Sequence, residues 1–154
     1  MILSAQTIRK YGIITPFHER SICEGMSFGL SSCGYDVRIA QEIHLNPSAY
    51  VRFRLASTIE HFVMPNNIVG RVHDKSTWAR MGLAVQNTII ESGWRGHLTL
   101  ELSLNGIEPL LIKAGSPIAQ IVFEFLDEPT EQPYSGKYQD QIAEPVKAKF
   151  EGEM

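Results

Sequence analysis

Cysteine is scarce in this 154-residue chain: only Cys23 and Cys33 are present, in no metal-ligand spacing. Two thiols at such positions argue against a disulfide scaffold and for packing residues in a reducing compartment. Positive charge is also scarce. Fourteen Lys and Arg against seventeen Asp and Glu leave a net charge of -3, with no basic field to grip a nucleic-acid polymer. Any polyphosphate would have to be held by a few placed cations. Long apolar runs are missing too: the start "MILSAQTIRKYG" has no signal-type stretch, and nowhere do the ~20 apolar residues of a membrane span occur. The expectation is a cytoplasmic protein that meets neither membrane nor nucleic acid. With 44% hydrophobic and 20% charged residues, one compact domain with a single core is expected.

Helical periodicity is sparse. Ser4 ahead of "AQTIRKYG" marks one short capped helix, with Ile8 on its apolar side and Gly12 as its stop. From "YDVRIA" onward, short runs such as "EIHL", "YVRFRL", "IVGRV", "HLTLELSL", "LLIKA" and "PIAQIVFEF" are separated by Asn, Pro, Gly and Ser. That pattern belongs to an all-β sandwich or barrel. From Asp127 the composition turns Pro- and charge-rich, so residues 1–126 read as the body and 127–154 as an arm that leaves it.

In "HLTLELSL", alternation puts Leu98, Leu100, Leu102 and Leu104 on one face and His97, Thr99, Glu101 and Ser103 on the other. A solvated outer face accounts for Glu101 as well as a pocket does. The second segment of interest is "DKSTWARMG". Asp74 can cap a short helix that Gly82 ends, and Ser76 and Arg80, at i and i+4, then share a face. Helix amides with Lys75, Ser76 and Arg80 would seat a phosphate, although an ordinary surface turn fits the same residues.

Taken in order, "MILSAQTIRKYG", "SFGLSSCGYDVRIA", "GRVHDKSTWARMGLAVQNTIIESGWRGHLTLELSLNG", "PIAQIVFEF" and "PYSGKYQDQ" resemble the dCTP deaminase branch of the trimeric dUTPase-like superfamily. The resemblance implies a distorted β-barrel or jelly-roll of the beta-clip type with short helices, assembled as a homotrimer with sites between subunits. It implies that dCTP is hydrolysed to dUTP and ammonia, supplying dUTP for dTTP synthesis, with dTTP as a candidate inhibitor. By the same resemblance Glu101 matches the catalytic glutamate, and Ser76 and Arg80 match the active-site pair, with Lys75 as the basic residue before them. Gln86, Asn87 and Thr88 lie in the hairpin around the base, Glu91 takes the acidic position before "GW", and Tyr134, Lys137, Tyr138 and Gln141 fall in an arm that closes over the nucleotide. The stretch "QEIHLNPSA" is shorter than its counterpart in many members.

Deamination of cytosine needs water added at C4, a proton at N3 and ammonia expelled, and one carboxylate can shuttle the protons. Burial would raise the pKa of Glu101 while Arg80 would lower it. Zinc deaminases carry H-x-E and P-C-x-x-C. Neither occurs here, and His18, His44, His61, His73 and His97 are scattered. The expected scheme is therefore water activation by Glu101 without zinc, with Mg²⁺ only as the counterion of the triphosphate. Three alternatives stand beside it: a dUTP or dCTP diphosphatase, a bifunctional enzyme yielding dUMP, and a non-catalytic nucleotide-binding regulator. For a diphosphatase or bifunctional enzyme, Asp36 and Glu91 are the loosely placed candidates to aim water at phosphorus.

Overall fold

A computed structural model describes residues 1–152. Helix α1 (Ala5–Tyr11) buries Ile8 and ends at Gly12 in the left-handed region. Eleven strands follow: β1 (Ile14–Thr15), β2 (Ser21–Cys23), β3 (Met26–Leu30), β4 (Tyr35–Arg38), β5 (Ile43–Leu45), β6 (Phe53–Val63), β7 (Ile68–Asp74), β8 (Leu83–Val85), β9 (Arg95–Leu104), β10 (Leu110–Ile112) and β11 (Pro117–Phe125). A one-turn helix, α2 (Ser76–Ala79), separates β7 from β8. The strands form antiparallel sheets in the orders β1-β6-β9-β8, β5-β10 and β2-β3-β4-β11-β7, and the body curls into a half-barrel. This is the mainly β architecture expected from the short, turn-separated runs.

The core lies between the two larger sheets. Ala56 and Phe62 of β6 and Leu100 and Leu102 of β9 meet Tyr35, Val37, Ile121 and Phe123 of the other sheet, all fully buried. Two ion pairs are sealed beside them. Glu60, in the middle of β6, receives both the main-chain N–H of Arg38 at 2.8 Å and its guanidinium at 2.9 Å. Lys75 reaches Asp36 at 2.8 Å, and both side chains are less than a tenth exposed. A buried carboxylate is tolerable only when paired and hydrogen-bonded in this way.

The long pairing of β6 with β9 carries one irregularity, between Ser57 and His61. The Thr58 hydroxyl absorbs it, donating to the Glu60 carbonyl at 2.7 Å and accepting the Leu98 N–H at 2.9 Å. A bulge of this kind bends a strand and re-aims its neighbours. Leu98 accordingly departs from the expected Leu face: Leu100, Leu102 and Leu104 enter the core, whereas Leu98 is half-buried and lines a cavity.

A second expectation is corrected at α2. Asp74 caps no helix there. Its carboxylate accepts the Val85 N–H at 2.8 Å, tying the end of β7 to β8, while Lys75 occupies the cap position without a side-chain cap. The main-chain donor of an adjacent strand took the carboxylate that the helix was expected to use.

Candidate active site

The arm does not project from the body. After β11 it crosses back over the start of β9, where main-chain bonds dock it: Tyr134 N–H to Ser92 O at 2.9 Å, Asp140 N–H to Arg95 O at 2.9 Å, and His97 N–H to Gln141 O at 2.9 Å. Trp94 Nε1 donates to Tyr138 O at 2.6 Å, and Arg95 forks onto the Asp140 carboxylate. Two glycines make room for this contact. A Cβ on Gly93 would lie 2.6 Å from Pro133 Cβ, and one on Gly96 would lie 2.7 Å from Gln141 N. Only a residue without a side chain allows backbone to approach so closely.

Between β9, the loop after β8 and this docked arm lies a cavity of about 720 Å³, within the usual range for small-molecule sites. Glu101 and Thr99 project from β9, and Asn87, Thr88 and Glu91 come from the loop. Tyr134, Lys137, Tyr138 and Gln141 come from the arm. Eight of the twelve residues singled out in the sequence thus share one cavity. Its apolar wall is built from Phe53, Leu55, Ile89, Ile90, Trp94, Leu98 and Val146. None of these was foreseen, because an apolar side chain in a short strand or loop carries no mark that separates lining from core. Thr99 could have been read from its place on the same strand face as Glu101. Its hydroxyl donates to Gln141 Oε1 at 2.6 Å and accepts the Val146 N–H at 3.1 Å, latching the arm to the strand.

Glu101 is half-buried, and its carboxylate has no hydrogen-bond or ion-pair partner among the described residues. Burial alone pushes its pKa above the ordinary glutamate value. The expected opposing pull of Arg80 is absent within the chain. Arg80 and Ser76 are exposed, with the Arg80 N–H bonded to Ser76 O at 3.1 Å, and neither lines the cavity. Gln86 is exposed outside it as well, its N–H donating to Glu101 O at 2.8 Å. Lys75 also lies outside, turned inward onto Asp36. Lys137, at the arm side of the cavity, meets Glu151 at 3.0 Å, which raises its pKa through that hydrogen bond. Among the described residues no three His, Cys, Asp or Glu side chains gather as a metal-ligand set.

The arrangement joins an apolar wall suited to a flat ring, a carboxylate whose pKa burial raises, and a cation on the arm. The fold that carries it is that of the dUTPase-like proteins. EIAV dUTPase matches with a TM-score of 0.54 at 23% identity, over 68% of this chain and 84% of that one. The 2'-deoxycytidine 5'-triphosphate deaminase of Agrobacterium tumefaciens matches with a TM-score of 0.59 at 16% identity, over 79% of this chain and 47% of that one. Sequence narrows the class further. The dCTP deaminase-like family model matches residues 42–126. The dCTP deaminase of Gemmatimonas aurantiaca is 36% identical, with 86% of this chain and 89% of that protein covered, and that of Azotobacter vinelandii is 38% identical at the same coverage. The chain belongs to the dCTP deaminase family.

Proposed function

We propose that the protein hydrolyses dCTP to dUTP and ammonia, with Glu101 as the proton shuttle. The observation that carries this reading is the partnerless, half-buried Glu101 carboxylate lining the cavity, its pKa raised by burial. Its family supports the substrate, since the curated relatives are dCTP deaminases. Ionised Glu101 takes a proton from water as the C4–O bond forms and passes it to N3. A second proton goes from the added hydroxyl to the amino group, the C4–N bond breaks, and ammonia leaves. Glu101 ends ionised, so the cycle closes without a further reactant. A carboxylate whose pKa is moved toward neutrality suits both halves of this exchange.

Ser76 and Arg80 lie outside the cavity of their own chain. In this reading they serve the site of a neighbouring subunit in a homotrimer, where Arg80 offsets charge developing on the ring and Ser76 orients the water. The arm, residues 127–154, closes over the nucleotide, with Lys137 exchanging Glu151 for a phosphate and Tyr134 and Tyr138 beside the sugar and base. Residues 153 and 154 of this arm lie outside the described residues. Mg²⁺ arrives with the substrate, held by phosphate oxygens. The dUTP product supplies dTTP synthesis, and dTTP, which carries the same sugar and triphosphate, would compete for the cavity.

The triphosphate is left whole in this scheme. Of the two carboxylates that could aim water at phosphorus, Asp36 is committed to Lys75 at 2.8 Å and Ser27 at 3.4 Å, whereas Glu91 lines the cavity, so the products decide between the two readings. The test is product analysis of dCTP with Mg²⁺, for wild type and Glu101→Gln. Wild type should release ammonia and dUTP in equal amounts. The variant should turn over about 10²- to 10⁴-fold more slowly while still binding dCTP. Stoichiometric pyrophosphate with dUMP would replace this reading with the bifunctional one, and ammonia release unchanged in the variant would remove Glu101 from the mechanism.

A further inference from the structure

The loop after β8 holds Glu101 by means that the sequence does not announce. Strand β8 pairs with β9 through Leu83 opposite Leu104, Ala84 opposite Ser103 and Val85 opposite Leu102. One more ladder bond follows, Gln86 N–H to Glu101 O at 2.8 Å. The chain then leaves the sheet toward the cavity, and its main chain can no longer serve β9. At that point the side chain of Asn87 takes over. Its Oδ1 accepts the Glu101 N–H at 2.9 Å, and its Nδ2 donates to Thr99 O at 2.6 Å.

A primary carboxamide carries an acceptor oxygen and two N–H donors, and the oxygen with one of those N–H groups has the spacing of a peptide group. Asn87 thus extends the ladder by one rung after the strand that formed it has ended. Both main-chain polar groups of Glu101 are consequently held by two successive residues of one loop. We infer that Asn87 is a positioning residue for Glu101, setting the reach of the carboxylate into the cavity, and that its amide is spent on the strand instead of on reading the base. This inference rests on the proposed role of Glu101 and names what keeps that carboxylate in place. The geometry accounts for the residue type. Aspartate would retain the acceptor but set a carboxylate oxygen against the Thr99 carbonyl, and alanine would leave an N–H and a C=O on β9 without partners. The tolerance for error in such a site is small, since a displacement of about 1 Å at the reacting atoms can cost roughly 10²-fold in rate.

The experiment combines steady-state kinetics with amide hydrogen exchange on the full-length protein, using Asn87→Ala and the near-isosteric Asn87→Asp, with dCTP as the probe ligand. A positioning residue should lower kcat by about tenfold or more in both variants with the KM for dCTP within about threefold of wild type, and the Glu101 amide should lose exchange protection in Asn87→Ala, which removes its acceptor. In a Glu101→Gln background, Asn87→Ala should have little further effect on turnover. A raised KM at unchanged kcat would make Asn87 a base-reading group and overturn the inference, as would wild-type protection of the Glu101 amide in Asn87→Ala. Should Asn87→Ala fail to fold, the split between kcat and KM decides on Asn87→Asp, which loses only the bond to Thr99 O, and the exchange reading decides on Asn87→Ser, whose shorter side chain cannot span both strand groups. Exchange needs no turnover, so the two proposals fail separately. A wild type that releases no ammonia but shows Asn87-dependent protection overturns the deaminase reading and retains Asn87's hold on Glu101.

Discussion

Replacing Gly93 by alanine tests whether the docked arm is part of the working site. Gly93 has φ +84°, and its added Cβ would fall 2.6 Å from Pro133 Cβ and 3.1 Å from Tyr134 N. Ordinary contact begins at 3.4 Å, so the arm must retreat by roughly 0.8 Å, the difference between 3.4 and 2.6 Å. That retreat takes the Tyr134 N–H to Ser92 O bond from 2.9 Å beyond hydrogen-bonding range and stretches the 3.1 Å bond from Gln139 Nε2 to Gly93 O. At about 1 kcal/mol each, the two bonds amount to about 2 kcal/mol, or roughly a 30-fold shift of the arm toward release. The backbone strain of a left-handed alanine, about 1–2 kcal/mol, is a separate cost that a control removes. Gly115 has φ +85° with nothing within 4 Å of an added Cβ, so Gly115→Ala carries the same strain and no clash. In urea Gly93→Ala should lose up to about 2 kcal/mol more than Gly115→Ala, the share of the two arm bonds. Only Gly93→Ala should expose the arm to trypsin at Lys137, Lys147 and Lys149 and raise the KM for dCTP by about an order of magnitude or more. Gly93 does not line the cavity, so a direct effect on the nucleotide is not expected. If Gly93→Ala and Gly115→Ala behave alike in both proteolysis and KM, the arm's docking has no part in binding.

Three further outcomes are expected. Burial raises the pKa of Glu101, so proton binding favours the folded state: this contribution to stability is present below the unfolded glutamate pKa and is lost as pH rises through the folded one. The acidic limb of kcat should therefore lie above the usual glutamate range, and Glu101→Gln should melt no lower than wild type at pH 8; a clearly lower melting temperature there would contradict the desolvation argument. Lys75→Met strands Asp36 as a buried charge and should cost about 3–5 kcal/mol in urea unfolding; wild-type stability with weakened dCTP binding would instead make Lys75 a phosphate ligand. Finally, Glu101→Gln and Arg80→Ala proteins, each nearly inactive, should regain ammonia release when mixed under conditions that exchange subunits, because some sites then combine an intact Glu101 with an intact Arg80. No recovery despite demonstrated exchange would place both residues in one chain's chemistry or remove Arg80 from it.

The strands were legible because β9 and β11 alternate, whereas alternation left Glu101 open between a solvated face and a pocket, and only the family resemblance singled it out; the structure places it in the cavity wall. What stayed hidden depended on pairing across distant segments. Leu98 leaves its face because Thr58, forty residues earlier in sequence, fills a bulge, and no local pattern encodes that. Asp74 found a partner in Val85 rather than in the helix beside it. Ser76 and Arg80 are close to the motif in sequence yet outside its cavity, since β8 and its loop lie between them and β9.

The arm shows most clearly what composition leaves out. Few large aliphatic residues follow Asp127, and a count of apolar area predicts a segment unable to pay for its own ordering. The structure docks it through hydrogen bonds instead: main-chain N–H groups of Tyr134, Asp140 and His97, the Trp94 indole, and the Thr99 hydroxyl that meets both Gln141 and Val146. Each bond contributes only about 1 kcal/mol net, so a small set of them holds the arm without fixing it permanently. Thr99 lies two residues from Glu101 on the same face of β9, and its carbonyl is held by Asn87. Loop, strand and arm thus converge on β9 within two residues of Glu101.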